Sequence, residues 1–440
     1  MVAPPRFDPP PRQVARLPTH TVALPAPVPT PVCRARPHRP RLLQAVLLLA
    51  SLVIIWRLGQ GWAEREVSLL AALALLVGGL LGASALAAWQ RRSHRRAVRA
   101  REGHYRLSLE RSRGDLGELI GDQRRILVEK DPYPSMCLEL ARARGSRLWE
   151  RSPSDADFLH VRVGVGRARS TVTVRVPERL SRLAGDPLAD AATAIAEWAS
   201  WVPGVPLCAP LQAGTTGVCG QRAAVLAAVR ALLIQLATHH APDLVKVAAI
   251  WPADETPEWR WLRWLPHVWS SDGRTRALAA DAAAARRLLQ QVDQAAGEDS
   301  GEGSVGDDGA IWIVVIADPA LAPVLPSRPG VHSLVLAASP QALPAGCATI
   351  VEVDGSAVGT LRQARGASVT IDRVDAADVE LADAFSRALA PIRLARARHA
   401  GPRPLVVHQP LVEQVSLDGQ RETLVDDAAS IAAPSLPRRG

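Results

Sequence analysis

A glycine-rich segment is the first feature of this 440-residue chain that could perform chemistry. Residues 214–222 read GTTGVCGQR and lead into an Ala/Leu-rich stretch, 221–240, with the composition of a helix. Free backbone amides at a helix N-terminus, together with the helix dipole, can bind phosphate. We therefore treat seven residues as candidate nucleotide ligands: Gly214, Thr215, Thr216, Gly217, Gly220, Gln221 and Arg222.

The segment lacks the side chains that a hydrolytic phosphate loop needs. The chain has only two lysines, Lys130 and Lys246, and neither lies in a G-x-x-x-x-G-K-[ST] motif. Gln221 and Arg222 stand where the lysine and the Mg²⁺-binding hydroxyl would be. The pattern predicts a degenerate, non-hydrolysing nucleotide site, with no catalytic residue and no cofactor.

Asp318 is the second candidate, because it follows the apolar run IWIVVIA at 311–317 as the acid of a Walker B strand does. A Mg²⁺-binding aspartate has no role without a loop that holds the triphosphate. Asp318 is more simply explained as a cap at the carboxyl end of a buried strand.

Tryptophans interleaved with arginines form the third candidate, a protein interface. Five tryptophans lie within residues 251–269, around the sequence EWRWLRWLPH. The competing and favoured explanation is a packed helix end with arginines stacked on tryptophan faces. With the similar residues near position 150, the candidate interface residues are Arg147, Trp149, Arg151, Trp259, Trp261 and Trp264.

Cysteine spacing and charge exclude two classes of protein. The five cysteines are scattered singly, which predicts neither a disulfide framework nor a metal site. The formal charge of +9 comes from two arginine-rich blocks, +6 over residues 1–41 and +7 over 91–113, and the remainder sums to −4. A mildly acidic soluble part argues against direct nucleic-acid binding.

Two uncharged runs, at 42–56 and 67–90, predict a transmembrane helical hairpin over residues 42–90. The arginine-rich blocks lie just outside the hairpin, and the connector at 57–66 is neutral, so both termini are expected in the cytoplasm. The predicted location is therefore the cytoplasmic membrane. A cleaved signal peptide or a pair of buried core helices is the alternative.

The rest of the chain divides by composition. Residues 1–41 are Pro/Arg-rich and predict a cytoplasmic tail that orders only on binding a partner. Residues 91–130 predict a basic helical stalk, with possible breaks at Gly114 and Gly121. Residues 131–400 alternate strand-like and helix-like runs, which predicts a Rossmann/P-loop-like α/β domain with a largely parallel sheet. Residues 401–440 predict a flexible C-terminal tail.

Within that domain, period-two alternation at 158–164 and 170–176 predicts a β-hairpin that turns near Gly166. Apolar runs predict four further strands at 244–251, 310–317, 332–337 and 348–353. Helices are expected at 221–240, 275–296 and about 375–400.

Residues 146–166, SRLWERSPSDADFLHVRVGVG, closely resemble a segment of EccC proteins, the FtsK/SpoIIIE-type ATPase components of actinobacterial type VII secretion systems. Two membrane spans, a basic stalk and the sequences around 220–244 and 258–267 agree in order, over about residues 42–400. The resemblance implies a subunit of an inner-membrane secretion complex whose stalk-proximal domain has an ATPase-like fold and a degenerate nucleotide site.

Members of that family continue into motor domains with Walker A loops, whereas this sequence stops soon after the stalk-proximal domain. The resemblance therefore predicts a non-motor anchor, with ATP hydrolysis assigned to no residue here. Expected partners are other secretion membrane subunits, a separate FtsK/SpoIIIE-type ATPase chain, the lipid bilayer and further copies of the chain. The alternatives are a membrane-bound NTPase with a non-standard site and an FtsK-like anchor for DNA translocation.

Overall fold

The structure, a computed structural model, describes part of the chain: residues 6–8, 11–12, 15–26, 46, 49–50, 53, 56, 65–178, 187–270, 273–298, 310–364, 366 and 368–394. The helices are α1 Arg65–Lys130, α2 Pro134–Ala143, α3 Pro187–Ala199, α4 Arg222–His239, α5 Thr256–Trp259, α6 Ala282–Glu298 and α7 Val379–Leu389. The strands are β1 Arg6–Phe7, β2 Thr21–Ala23, β3 His160–Arg169, β4 Thr173–Arg175, β5 Trp201–Pro210, β6 Thr216–Gly220, β7 Val245–Ile250, β8 Leu278–Ala279, β9 Ile311–Ile316, β10 Val331–Ala337, β11 Thr349–Val353, β12 Gly359–Gln363, β13 Val369–Ile371, β14 Arg373–Val374 and β15 Arg393–Leu394.

An eight-stranded, largely parallel sheet organises the domain, in the order β13-β12-β11-β6-β10-β9-β7-β8. The six strands from β11 to β8 are parallel, and β12 and β13 add antiparallel pairs at one edge. Strands buried on both faces consist of continuous apolar runs, and β7 and β9 have such sequences, VKVAAI and IWIVVI. The predicted α/β class with a largely parallel sheet is confirmed.

Helices cover both faces of this sheet. Along β7, Val247 and Ala249 pack in the cluster that contains α4, whereas Ala248 and Ile250 pack in the cluster that contains α6. This alternation is expected because successive strand side chains point to opposite faces. The result is a three-layer domain with the sheet in the middle and α4 buried on one face.

The predicted hairpin between residues 158–164 and 170–176 is wrong. Strand β3 continues through Gly166 and pairs antiparallel with β5, while β4 pairs in parallel with β2. A side chain is excluded at Gly166, because a Cβ there would lie 2.6 Å from Leu207 Cδ1. Gly166 therefore permits close strand packing and does not form a turn.

Helix α1 runs without interruption for 66 residues and includes the predicted second membrane run and the predicted stalk. Neither Gly114 nor Gly121 breaks it. Its C-terminal half packs on the domain through Tyr105, Leu109 and Leu116. At 1.5 Å per residue the helix is about 100 Å long.

Part of the predicted N-terminal tail is ordered on the same chain rather than only on a partner. We call residues 6–8, 11–12 and 15–26 the N-terminal arm. Strand β1 pairs with β15, and β2 pairs with β4. Val22 and Leu24 are buried beside α1. Apolar burial and edge-strand hydrogen bonds hold the arm, and composition alone reveals neither.

Among the described residues, only α4 is both long and apolar enough to cross a bilayer, and most of it lies inside the domain core. The run at 42–56 is described at five positions only, so the first half of the predicted hairpin lies outside the described residues, as does the predicted tail at 401–440. The C-terminal helix, expected to reach about residue 400, ends at Leu389.

Candidate functional site: a self-filled nucleotide-type edge

The glycine-rich segment is not one loop. Thr216 to Gly220 form the central strand β6, which the sequence analysis missed. Gly214 and Thr215 precede the strand, and Gln221 and Arg222 follow it, so the two groups lie about 20 Å apart at opposite ends of β6. The seven candidate ligands therefore do not converge on one phosphate.

Close packing explains why glycine is found in a central strand. A Cβ at Gly217 would overlap the Leu343 side chain, and one at Gly220 would overlap the Val353 carbonyl oxygen. Gly220 also has φ +137°, a backbone conformation that glycine tolerates best. These glycines let β6 approach its neighbours, and Gly220 turns the chain into α4.

Arg222 occupies the position where a ligand would lie, at the start of α4 and the carboxyl edge of the sheet. Its Nε donates to Glu255 Oε1 at 2.7 Å, and its Nη2 donates to Glu255 Oε2 at 2.5 Å. Its Nη1 donates to the Ala317 carbonyl at the end of β9, at 3.0 Å. Arg222 thus links the carboxyl ends of β6, β7 and β9, and its charge is neutralised by the Glu255 carboxylate.

Glu255 is held in its charged form. Burial alone would raise the pKa of Glu255, but hydrogen bonds from Arg222 and Trp259 and the charge of Arg222 lower it below its ordinary value. The Trp259 Nε1 donates to Glu255 Oε2 at 3.3 Å. An incoming phosphate would have to displace this carboxylate from Arg222.

Asp318 is also engaged within the chain. Its carboxylate accepts a hydrogen bond from the Ala320 backbone N–H at 2.9 Å and caps the short turn Pro319–Leu321. The expectation of a strand-end cap is confirmed. In the described part of the chain, no group of three His, Cys, Asp or Glu side chains is placed to hold a metal ion.

The tryptophan-rich segment is mainly interior. Trp259 stacks on Trp251 with ring centroids 6.0 Å apart, and Trp261 is fully buried. Trp264 is partly exposed and lies under the Arg387 guanidinium, 4.5 Å from the ring centroid. The favoured explanation, tryptophans packed with arginines on their faces, describes this segment. Trp259 and Trp261 are too buried to contact another protein.

No protein-family model matches the chain, but parts of its sequence are similar to curated proteins. An ESX secretion system protein EccC from Geobacillus thermodenitrificans is 28% identical over 229 residues, which are 52% of this chain and 16% of that protein. The Thermomonospora curvata EccC is 35% identical over 147 residues, 33% of this chain and 11% of that protein. The ESX-4 protein EccC4 of Mycobacterium tuberculosis is 34% identical over 126 residues, 28% of this chain and 10% of that protein. This is an EccC-like chain.

The similarity is partial. The EccC-like chain spans about a tenth to a sixth of the length of these relatives. Type VII secretion proteins named EssC from Staphylococcus aureus are also similar, so the similarity does not single out actinobacteria. The solved cytoplasmic domain of the Thermomonospora curvata type VII secretion ATPase EccC aligns with 64% of this chain and 36% of that structure. Its TM-score of 0.35 and its identity of 14% are too low to support conclusions about the fold.

In the EccC-like chain, the segment at 146–166 lies in the domain interior. Trp149 is fully buried and donates its Nε1–H to the Ala237 carbonyl at 3.0 Å. Arg151 is fully buried and donates to Asp131 Oδ1 at 2.5 Å and to the His160 carbonyl at 2.6 Å. These two candidate interface residues instead form hydrogen bonds inside the domain, Trp149 with α4 and Arg151 with β3.

Arg147 is half-buried and donates to the Lys130 carbonyl at 2.7 Å, at the end of α1. It also lies 3.5 Å from Glu150. Its contacts join the EccC-like segment to the stalk helix. Of the six candidate interface residues, Arg147 and Trp264 are therefore the two that keep part of their side-chain surface accessible.

Sequence reasoning missed a buried ion cluster built around Arg12 of the N-terminal arm. Arg12 donates to both carboxylate oxygens of Asp157, at 2.8 and 2.6 Å, and lies 3.1 Å from Asp155. Burial alone would raise the pKa of Asp157, but the hydrogen bonds from Arg12 and the charges of Arg151 and Lys130 hold it well below the usual range. Because 145 residues separate Arg12 from Asp157, no local spacing could have indicated the pair.

Proposed function

We propose that this chain is a membrane-anchored, non-motor subunit of a type VII (ESX-like) protein secretion complex, which docks an FtsK/SpoIIIE-type ATPase to the membrane assembly. The observation that carries the proposal is the similarity to EccC proteins, combined with a nucleotide-type edge that is filled by Arg222. By this proposal the domain positions a motor and does not hydrolyse ATP.

The non-motor role follows from charge placement at the edge of the sheet. Hydrolysis needs a cation that is free to hold the β- and γ-phosphates and an acid that can hold Mg²⁺. Here Arg222 is paired with Glu255, and Asp318 caps its own turn. Both candidate groups already have partners within the chain.

Exposed apolar side chains support the membrane hairpin. On the free N-terminal half of α1, Val77, Leu81, Leu86 and Trp89 are exposed, Leu81 and Trp89 by 66% each. In the first run, the described residues Val46, Leu49, Val53 and Trp56 are also exposed. Contiguous apolar exposure of this kind is unfavourable in water and typical of a surface that contacts lipid or protein.

The N-terminal arm supports an even number of membrane crossings. Leu24 donates its backbone N–H to the Arg175 carbonyl at 2.9 Å, and Val22 packs beside Tyr105 of α1. These contacts support a topology in which the arm and the domain lie on the same side of the membrane. By this proposal, the chain between residue 26 and residue 105 leaves and returns through the same membrane face, as a hairpin does.

For this proposed topology, the charge rule for flanking arginines predicts that both termini and the domain lie in the cytoplasm. The partners we propose are other type VII secretion membrane subunits, a separate FtsK/SpoIIIE-type ATPase and further copies of the chain. The mildly acidic balance outside the arginine-rich blocks gives no reason to propose direct nucleic-acid contact.

Binding of a fluorescent ATP analogue to the full-length chain in detergent tests the non-motor role. We expect no saturable binding, and no difference between the wild type, Asp318→Ala and the control Asp372→Ala, which removes another exposed carboxylate. Saturable binding that only Asp318→Ala abolishes would instead favour a membrane-bound NTPase. Salt-sensitive DNA binding would favour a DNA-translocase anchor.

Phosphatase fusions test the hairpin. A phosphatase that is active only outside the cytoplasm should work when inserted in the connector at 57–66 and should be inactive after residue 440. Activity at neither position or at both would contradict the proposed two-pass topology.

A further inference from the structure

Five arginines occupy one side of α1 directly after the predicted second membrane run. We call Arg91, Arg92, Arg95, Arg96 and Arg99 the arginine face. At about 100° per residue, these five positions fall within an arc of about 140°. The opposite side carries Ser93, His94, Ala97 and Ala100, and its first arginine is Arg101, after the face ends.

The arginine face has no anionic partner in the described part of the chain. All five side chains are exposed, and none makes an ion pair with a described residue. The sequence has no Asp or Glu between residues 67 and 101. Arginines elsewhere do find local partners, as Arg125 pairs with Asp122 and Arg142 with Glu139. The first acid after the face, Glu102, lies on the same side of the helix, and the five arginines with this glutamate carry a net charge of +4.

Its position matches a bilayer surface. Arg91 comes two residues after the exposed Trp89, and the five arginines extend over about 12 Å of helix. The polar headgroup layer is about 5–8 Å thick on each side of the hydrocarbon core. Guanidinium side chains reach several Å beyond the helix, so all five can meet phosphate groups if the helix leans toward this side.

We infer that the arginine face binds the phosphate groups of anionic phospholipids in the cytoplasmic leaflet, and that α1 leans toward the membrane on that side. The inference rests on the membrane anchoring proposed above. The planar guanidinium fork matches two phosphate oxygens at once. A tilted helix explains why five arginines share one arc, because the side of the helix that faces the membrane gains most from positive charge.

The test uses the full-length chain in nanodiscs of equal parts phosphatidylcholine and phosphatidylglycerol, with protein-bound lipids counted by native mass spectrometry. The variant replaces the five arginines of the face by glutamine, which keeps helix propensity. The matched control replaces five exposed arginines elsewhere by glutamine: Arg111, Arg260, Arg286, Arg287 and Arg328. The change in net charge is the same in both.

Each surface arginine is worth roughly a fivefold preference for an anionic lipid. We therefore expect the ratio of phosphatidylglycerol to phosphatidylcholine among the protein-bound lipids to fall at least about tenfold in the variant and to stay unchanged in the control. An unchanged enrichment in the variant, or an equal loss in the control, would overturn the inference.

A charge-preserving variant tests the one-sided geometry. Arg95→Gln and Arg99→Gln combined with Ala97→Arg and Ala100→Arg keep the charge but move part of it to the opposite side. We expect a reduced enrichment of phosphatidylglycerol, and an enrichment equal to that of the wild type would overturn the inferred direction in which α1 tilts.

Alkaline extraction of native membranes distinguishes a failure of the proposed membrane anchoring from a failure of the inferred lipid binding. If the wild type is extracted as a peripheral protein, the anchoring fails, whereas an integral protein without lipid preference contradicts only this inference.

Discussion

The contact between Arg12 and Asp157 gives a prediction about the N-terminal arm. Arg12→Ala removes a guanidinium that holds both oxygens of a mostly buried carboxylate. Asp157 keeps two other cations, Lys130 at 3.1 Å and Arg151 at 3.6 Å, so its charge does not become isolated. The substitution should therefore release the arm without unfolding the domain.

The expected loss of docking free energy depends on Lys130 and Arg151, which remain beside Asp157. Removing one member of a buried ion pair costs about 3–5 kcal/mol when the other charge is left alone. Because Lys130 and Arg151 still compensate Asp157, we expect a smaller loss of docking free energy, about 2 kcal/mol. This corresponds to a shift of roughly 30-fold in the equilibrium between docked and released arm.

Hydrogen exchange at the Leu24 amide measures the docking, because that amide is bonded to the Arg175 carbonyl at 2.9 Å. In Arg12→Ala the amide should exchange roughly 30-fold faster. The matched control is Arg16→Ala, an exposed arginine of the same arm, for which we expect wild-type exchange. Equal Leu24 exchange in Arg12→Ala and the wild type would refute the role assigned to the ion pair.

Three further predictions concern the interior and the nucleotide-type edge. Gly220→Ala should lower the free energy of unfolding in urea titrations by at least about 3 kcal/mol, because Gly220 has a positive φ and the added Cβ would overlap the Val353 carbonyl oxygen. A loss under about 1 kcal/mol would contradict the packing described for β6. Burial lowers the pKa of His267 to about 4, so this residue binds more protons in the unfolded chain between that pH and about 6.5. His267 should therefore contribute a loss of about 1.4 kcal/mol of stability per pH unit as pH drops through this window, in addition to the contributions of buried His239 and His240, whose pKa values are also lowered. His267→Gln should reduce the slope by about that amount in urea titrations at about pH 7 and about pH 5, and an unchanged slope would contradict it. Glu255→Ala should leave Arg222 without its carboxylate partner, so that millimolar pyrophosphate raises the Tm of the variant but not that of the wild type. Equal stabilisation of both proteins would show that the Arg222–Glu255 pair does not block anion binding at this edge of the sheet.

The class of fold could be predicted because its central strands are continuous apolar runs. The sequences of β7 and β9, VKVAAI and IWIVVI, are sufficient to indicate buried strands in a parallel sheet. Strand β6 could not be recognised, because TGVCG has the composition of a turn. Its glycines reflect the close approach of Leu343 and Val353, and this contact depends on the tertiary structure.

The candidate site was predictable only in part. The position of Asp318 after an apolar strand indicated a cap, which the structure shows, whereas the absence of hydrolysis expected from the missing lysine stays a prediction. The partner of Arg222 is Glu255, 33 residues away, and that of Arg12 is Asp157, 145 residues away. Pairings over such distances depend on how β7, α4 and the arm meet, which local spacing does not encode.

The most direct test of the proposed function is recovery of the tagged full-length chain from the membranes of its native host by gentle detergent extraction, followed by mass spectrometry of the complex. We predict that other type VII secretion membrane subunits and a separate FtsK/SpoIIIE-type ATPase are recovered with it. Recovery of the chain without any other secretion subunit would contradict the proposal that it anchors a motor within a secretion complex.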